Sequence, residues 1–490
     1  MPKGIKSIIS YCENVDFETF SRYSCFFGKH LRTEFGSSVL INFYVKNFRS
    51  IRDEVQLNLV ADGRYKKHEE HLEPIIALEK SALKMAVLYG ANAAGKSNVV
   101  RAFDFAKDMV LEPGAIKRLQ NNQFARRPDS STEFQFQFQT GEYQFDFGFE
   151  LLVTEVISEW LVIEGSDQSR RDAKVYERNR DQIELGKLSA YQDGKTTIDL
   201  LDTLDSLGIK QDELLLNKVL QGTAGSKRGK ILNAALSWFI NSLKVIQPEA
   251  SVSPLISMLD RDAQFCKWTE RALEAVDTGI GNLNVEKEVI NSDNLPPAFT
   301  NFLESGAGPI RRGDGVELSF DDENKSQIVR RSLKSTHVSG KQKFDLPFAE
   351  ESDGTKRFLE LLSTLYPKLA DVANTHSVFV IDELDRSLHP LLSRAFIELF
   401  SMSAAEHPVQ LIFTTHETNL LDSDLLRRDE IWFVEKGRDQ VTKLTPLADY
   451  SVRNDLRLER GYLHGRFGAI PIVSGFEELM EFEADSESVR

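Results

Sequence analysis

Gly90-Ala91-Asn92-Ala93-Ala94-Gly95-Lys96-Ser97 follows the apolar run Met85-Ala86-Val87-Leu88-Tyr89 and leads into Asn98-Val99-Val100-Arg101-Ala102-Phe103. This is a complete G-x-x-x-x-G-K-[ST] pattern in the strand–loop–helix setting that a phosphate-binding loop requires. Gly90 and Gly95 let the backbone curl, so that successive N–H groups from Asn92, Ala93 and Ala94 through to Asn98 point at phosphate oxygens. Lys96 then reaches the β- and γ-phosphates, and the Ser97 hydroxyl can ligate Mg²⁺. A helix starting near Ser97 adds its positive dipole end. The stretch predicts an α/β nucleotide-binding fold that takes ATP, with Mg²⁺ as cofactor.

A second carboxylate-bearing run completes the expected site. Ser377-Val378-Phe379-Val380-Ile381-Asp382-Glu383 reads as a buried strand ending in two acids. Asp382 is assigned to Mg²⁺, and Glu383 to polarising the attacking water as general base. Adjacent strand residues face opposite ways, so the pair belongs at the strand's C-terminal tip, where open parallel sheets bind ligands. Another strand, Val409-Gln410-Leu411-Ile412-Phe413-Thr414-Thr415, ends at His416, which is placed to sense the γ-phosphate. Glu350-Glu351-Ser352-Asp353-Gly354-Thr355-Lys356-Arg357 precedes an amphipathic helix, and Ser352 with Gly354 can form a second anion-binding helix start. The plainer reading of Ser352 is an N-cap.

Composition sets the limits. The chain has 490 residues, 41% of them hydrophobic and 28% charged, with 32 Phe, which suits a soluble globular protein of roughly two or three domains. No membrane-length apolar run is present, the N-terminus lacks the apolar core of a signal peptide, and Cys12, Cys25 and Cys266 form no ligand spacing. A cytoplasmic setting is expected. The net charge of −15 argues against coating nucleic acid through the overall field. Nucleic-acid contact would be confined to local basic patches: Arg126-Arg127, Lys227-Arg228-Gly229-Lys230, Arg311-Arg312 and Arg330-Arg331.

Patterning divides the chain. Residues 1–37 read as an N-terminal arm. Residues 38–164 read as the N-terminal lobe, with two strands around a turn at Arg49 to Asp53, the phosphate loop, and an antiparallel sheet. That sheet is signalled by Phe134-Gln135-Phe136-Gln137-Phe138-Gln139, a Thr140-Gly141 turn, and Tyr143-Gln144-Phe145-Asp146-Phe147. Residues 165–345 read as a mostly helical insertion without sustained heptads, for example over Leu214 to Leu220 and Lys230 to Val245. Residues 346–471 form the C-terminal lobe, and 472–490 an acidic tail.

On these motifs the chain resembles the ABC-type ATPases of the SMC, Rad-fifty and RecF kind, and within them the bacterial ATPases related to the overcoming-lysogenization-defect nucleases and abortive-infection systems. The resemblance rests on Glu351 to Arg357 as signature loop, and on Ile381-Asp382-Glu383-Leu384-Asp385-Arg386-Ser387-Leu388-His389-Pro390 as Walker B and D-loop. It also rests on Thr414-Thr415-His416 as switch, and on the closing Tyr462-Leu463-His464-Gly465-Arg466-Phe467-Gly468-Ala469-Ile470-Pro471. The signature is Ser-Asp-Gly-Thr rather than Ser-Gly-Gly-Gln, and the coupling glutamine has only Gln123 as a candidate. The resemblance implies an ABC-type fold and a head-to-tail homodimer around two ATP molecules, able to assemble further. In it Lys96 of one subunit and Ser352 of the other grip the same γ-phosphate while Asp385 crosses the interface. A two-fold interface of that kind is isologous.

Four functions compete for what the ATPase drives. The first is gating of a separately encoded effector, a nuclease, in anti-phage defence; about 20 residues beyond residue 471 leave no room for a fused nuclease. The second is a RecF-like repair ATPase that binds DNA directly, with salt-dependent affinity. A transporter subunit is disfavoured by the signature and the insertion, and a non-hydrolysing scaffold by Glu383.

Overall fold

The computed structural model describes residues 38–75, 79–121, 130–165, 172–186, 210–218, 227–248, 255–290, 295, 303, 310–312, 315–321, 324, 327–339, 342–365, 377–406, 409–450 and 457–470. The arm at 1–37, Pro471, the tail at 472–490, Gln123 and the Arg126-Arg127 pair lie outside them.

The nucleotide-binding core is built from β1 (Met85–Tyr89), α1 (Lys96–Leu111), β2 (Leu243–Ile246), α2 (Asp353–Leu362), β3 (Val378–Ile381), α3 (Pro390–Glu406), β4 (Gln410–Thr415), β5 (Ile431–Lys436) and β6 (Thr442–Pro446). The strand order is β2-β3-β4-β1-β5-β6, parallel except for β6, which runs antiparallel to β5. Every residue of β1 and β4 is buried, as a parallel sheet covered on both faces demands.

Period-two alternation divides these strands between two cores. Ala86, Leu88, Val380 and Ile412 pack with α1 residues Val99, Val100 and Phe103. Met85, Val87, Tyr89, Leu411 and Phe413 pack on the other side, with Phe358 and Leu361 of α2 and Phe396 and Phe400 of α3.

The first core is closed by a seven-stranded antiparallel sheet. Its spatial order is Gln182–Leu185, Ala173–Asn179, Val156–Ile163, Tyr143–Leu151, Thr132–Thr140, Ser38–Lys46 and Val55–Asn58. The expected hairpin pairs in register, Phe136 opposite Phe147 and Phe138 opposite Phe145. Its phenylalanines are fully buried, and Phe43 stacks on Phe103 of α1 with ring centroids 3.7 Å apart. The polar face is paired as well, with Gln135 donating to both oxygens of Asp146. This sheet runs past residue 164, so the N-terminal lobe is longer than its expected boundary.

The interval expected to be a mostly helical insertion is corrected on two counts. First, the helix Lys227–Ser237 passes through a π-helical stretch, Trp238–Ser242, straight into β2, which pairs with β3. Val245 therefore lies on a core strand rather than on a helix. A strand of only four residues, run on directly from a helix, is too short to show a period of its own. Second, Ile280–Ile290, Ile328–Ser339, Val316–Phe320, Ile310–Arg312 and Gln342–Pro347 form a further antiparallel sheet. The alternation of Ile280–Ile290 is masked because the register shifts between Ile280 and Asn282, and most of the strand is exposed. Among the described residues no helix is long and apolar enough to cross a membrane.

Candidate functional site

The phosphate loop leaves β1 and enters α1 with a compact curl. Ala93 has φ 63° and Gly95 φ 109°, conformations that cost an L side chain energy. At Gly95 the constraint is steric as well, because a Cβ there would collide with the Thr442 hydroxyl. At Gly90 a Cβ would collide with the carbonyl of Val434 on β5. Asn92 and Ala93 are exposed at the crest of the loop, while Ala94 is buried beneath it.

A hydrogen-bond relay braces this curl from outside the motif. Asn98 Nδ2 donates to Ser50 Oγ at 2.6 Å, Ser50 and Thr442 hydroxyls meet at 2.7 Å, and Thr442 Oγ1 donates to the Ala94 carbonyl at 3.0 Å. Thr442 has a single hydroxyl proton, and it goes to Ala94, so Ser50 donates to Thr442. Ser50 and Thr442 carry no signal in the sequence. Neither sits in a motif, and they are 392 positions apart.

Lys96 is buried and donates to the carbonyls of Gly90 at 2.7 Å and Ala91 at 3.2 Å. Burial lowers its pKa from 10.5 to about 8, against the opposing pull of Asp382, Asp385 and Glu383. Its ammonium also lies 3.4 Å from His416 Nδ1. Since an ammonium can only donate, Nδ1 accepts and the ring proton resides on Nε2. Burial, and after it the Lys96 charge, holds the His416 pKa below its usual value. His416 therefore stands neutral beside the loop as a donor through Nε2.

Asp382 and Glu383 follow β3 directly, with β4 between them and the loop. Glu383 takes φ 49°, which ends the strand and removes the opposite-face alternation from the pair. Thr414 of β4 joins them: its hydroxyl donates to Asp382 Oδ1 at 2.7 Å and accepts from the Glu383 N–H at 2.7 Å. Thr414 lay inside the quoted switch motif, but sequence reading assigned it no role. Asp382 Oδ2 is buried and has no hydrogen-bond partner among the described residues. A buried carboxylate oxygen left open, with the Lys96 charge near it and the phosphate loop one strand away, fits Mg²⁺, a hard cation that takes oxygen ligands. Ser97 and Asp382 would hold it, and it would neutralise charge on the phosphates.

Asp385, expected to cross a dimer interface, is engaged within its own chain. Its Oδ2 accepts from the His416 backbone N–H at 3.1 Å. Ser352 caps α2, its hydroxyl accepting from the Thr355 N–H at 3.1 Å, so the plainer reading holds in the single chain. Gly354 permits α2 to approach the turn after β3, where an added Cβ would lie 2.7 Å from the Ser387 carbonyl. Arg357, one turn into α2, is buried, and its Nε and Nη2 have no hydrogen-bond partner among the described residues. The closing segment packs beside β1 and β5: Tyr462 and Phe467 stack on Phe433, and the Tyr462 hydroxyl donates to the Ala469 carbonyl.

The Gly90–Ser97 loop, the Asp382–Glu383 pair and His416 lie at the ends of three adjacent parallel strands, the arrangement expected of a P-loop ATPase domain. The chain belongs to the family described as "AAA domain, putative AbiEii toxin, Type IV TA system", whose sequence model matches residues 85–208 and 268–422, more than half its length. No curated protein matches it. Among solved structures it is similar to an SMC head domain from Thermotoga maritima, at 12% identity over 83% of this chain and 98% of that one, TM-score 0.35. It is also similar to an Smc head domain with an extended coiled coil bound to the C-terminal domain of ScpA derived from Pyrococcus furiosus, at 13% identity over 83% and 96%, TM-score 0.38. A third is the recombination mediator protein RecF with ATP, at 12% identity over 85% and 100%, TM-score 0.33.

Proposed function

We propose that the chain hydrolyses ATP, closes as a head-to-tail homodimer over two ATP molecules, and gates a separately encoded effector, a nuclease, in anti-phage defence. The observation that carries the ATPase reading is Thr414, which holds Asp382 and Glu383 together one strand away from Lys96 and Ser97. The loop N–H groups and Lys96 would bind the β- and γ-phosphates, replacing the carbonyls of Gly90 and Ala91 as partners of the ammonium. Mg²⁺ would supply charge neutralisation. Glu383 would accept the proton of the attacking water, and His416 would donate to the γ-phosphate through Nε2. Ser352 of a second subunit, freed from capping α2, would complete the phosphate cage, and the D-loop around Asp385 would lie against the partner. A toxin–antitoxin or defence setting is supported by the family description, which names a putative toxin; a separate effector rests on the motifs that resemble those of abortive-infection ATPases.

Phosphate release and partner capture test this proposal. Glu383→Gln should bind ATP yet lose phosphate release by at least 100-fold, given the usual value of a general base. With ATP it should retain a nuclease encoded beside it. Normal turnover by Glu383→Gln would remove the catalytic assignment. Tight, salt-sensitive DNA binding by the ATP-bound chain, with no protein partner, would replace effector gating with a DNA-repair reading.

A further inference from the structure

Away from the nucleotide site, the connection between Val55–Asn58 and β1 brings two imidazoles and a carboxylate together. One ligand atom from each of His68, Glu70 and His71 lies within 4.8 Å of the others. The two rings stack at 5.0 Å with an interplanar angle of 17°.

Hydrogen bonds on the outer side of each ring decide where its lone pair points. His68 Nε2 lies 3.2 Å from the Ser423 carbonyl oxygen, which can only accept, so Nε2 carries the proton. In the neutral, ligating form of the ring Nδ1 would be the bare nitrogen, and it lies 3.1 Å from Glu70 Oε1. Without a metal the two groups are joined by a hydrogen bond, which a bound cation would replace. His71 is fully buried, and its Nδ1 lies 2.9 Å and 3.3 Å from the two oxygens of the equally buried Glu430. Nδ1 therefore donates, leaving Nε2 bare, 4.0 Å from the same Glu70 oxygen. The Ser401 hydroxyl caps that nitrogen at 2.7 Å.

Ligating histidines in metal sites are anchored this way on their outer side, with that N–H on a carboxylate or carbonyl. The frame around them is tied down. Arg427 donates to the carbonyls of Lys67 at 2.7 Å and Tyr65 at 3.2 Å, and Asp429 accepts from the Asp62 N–H at 2.8 Å. Glu70 is the exposed member and supplies both the travel needed to close the site and the route of entry.

We infer that His68 Nδ1, Glu70 and His71 Nε2 bind a divalent transition-metal ion of the zinc class. Two imidazoles and one carboxylate suit zinc rather than Mg²⁺ or Ca²⁺, which prefer all-oxygen shells. The ligand atoms would draw in to about 2 Å from the ion, displacing the Ser401 hydroxyl from Nε2. The bound ion would fasten the 68–71 turn to Ser423 and to Glu430 at the start of β5.

Zinc chloride titrated calorimetrically into the nucleotide-free full chain tests this. His71→Ala would leave Glu430 buried without its partner, so the informative variants are Glu70→Gln, whose side chain is exposed, and Ser401→Ala, which removes only the competing hydroxyl. The wild-type chain should bind one zinc ion that Glu70→Gln binds at least tenfold more weakly, and Ser401→Ala should bind it as tightly or more so. Zinc should raise the melting temperature of the wild-type chain and of Ser401→Ala but not of Glu70→Gln. No zinc binding by the wild-type chain, or equal affinity and stoichiometry in Glu70→Gln, would overturn the site and leave His68 and Glu70 as an ordinary ion pair.

Discussion

Lys96 is held charged in a place that disfavours charge. Its pKa of about 8 lies below the ordinary 10.5, so the folded chain binds this proton less tightly than the unfolded one. The destabilisation is fully present below pH 8 and is relieved as pH rises from 8 towards 10.5. A bound triphosphate would favour the charged form, so ATP binding should take up a proton above pH 8, and ATP affinity should fall as pH rises through that window. Calorimetry at pH 8.5 in buffers of different ionisation enthalpy measures the uptake; Lys96→Arg should abolish it. Flat ATP affinity from pH 7 to 9.5 would contradict this account. Gly95 is the other residue with little freedom. Gly95→Ala combines φ 109° with a collision against Thr442, and ATP affinity should drop at least tenfold, about 1.4 kcal/mol or more, readable by equilibrium dialysis. The loop and the acid pair were legible in the sequence because each is a contiguous run. Thr414, Ser50 and Thr442 were not, because each acts through partners far away along the chain.

Between elements, one side chain joins the antiparallel sheet to the core. Gln410, buried at the start of β4, accepts from the Leu40 N–H at 2.8 Å and donates to the carbonyls of Leu40 at 2.9 Å and Leu83 at 2.7 Å. Leu40 needs this partner because the strand pairing shifts register between Leu40 and Asn42. Gln410→Leu would leave buried backbone groups unsatisfied at about 1–3 kcal/mol each, and about 3 kcal/mol of stability should be lost, read as a lower denaturation midpoint with little change in slope. At this scale the phenylalanine hairpin was readable because its alternation is unbroken. β2 was not, since its four residues are defined by parallel pairing to β3. The sheet spanning residues 280–347 also couples to the signature segment. The Ser335 hydroxyl donates to Glu351, and His337 Nε2 lies 2.6 Å from the same carboxylate oxygen. That contact puts the inserted sheet one residue from Ser352.

At the scale of the whole molecule, the proposed dimer makes a mass prediction. Glu383→Gln with ATP should double in mass by light scattering, whereas Lys96→Ala should remain at the mass of a single chain, because it lacks the charge that holds the γ-phosphate. A doubled mass for both without nucleotide would separate assembly from ATP. Local spacing and the period of hydrophobic burial made the α/β fold around the Gly90–Ser97 loop and the Phe-rich sheet legible in the sequence, because both depend on near neighbours along the chain. Packing in three dimensions was needed to show that β2 completes the core sheet, that five strands between Ile280 and Pro347 form a further antiparallel sheet, and that Asp385 binds the His416 backbone in its own chain. It alone brought His68, Glu70 and His71 under Glu430 and Ser423. Such placements depend on which distant backbone and side-chain groups must satisfy one another once buried, and no local period encodes that.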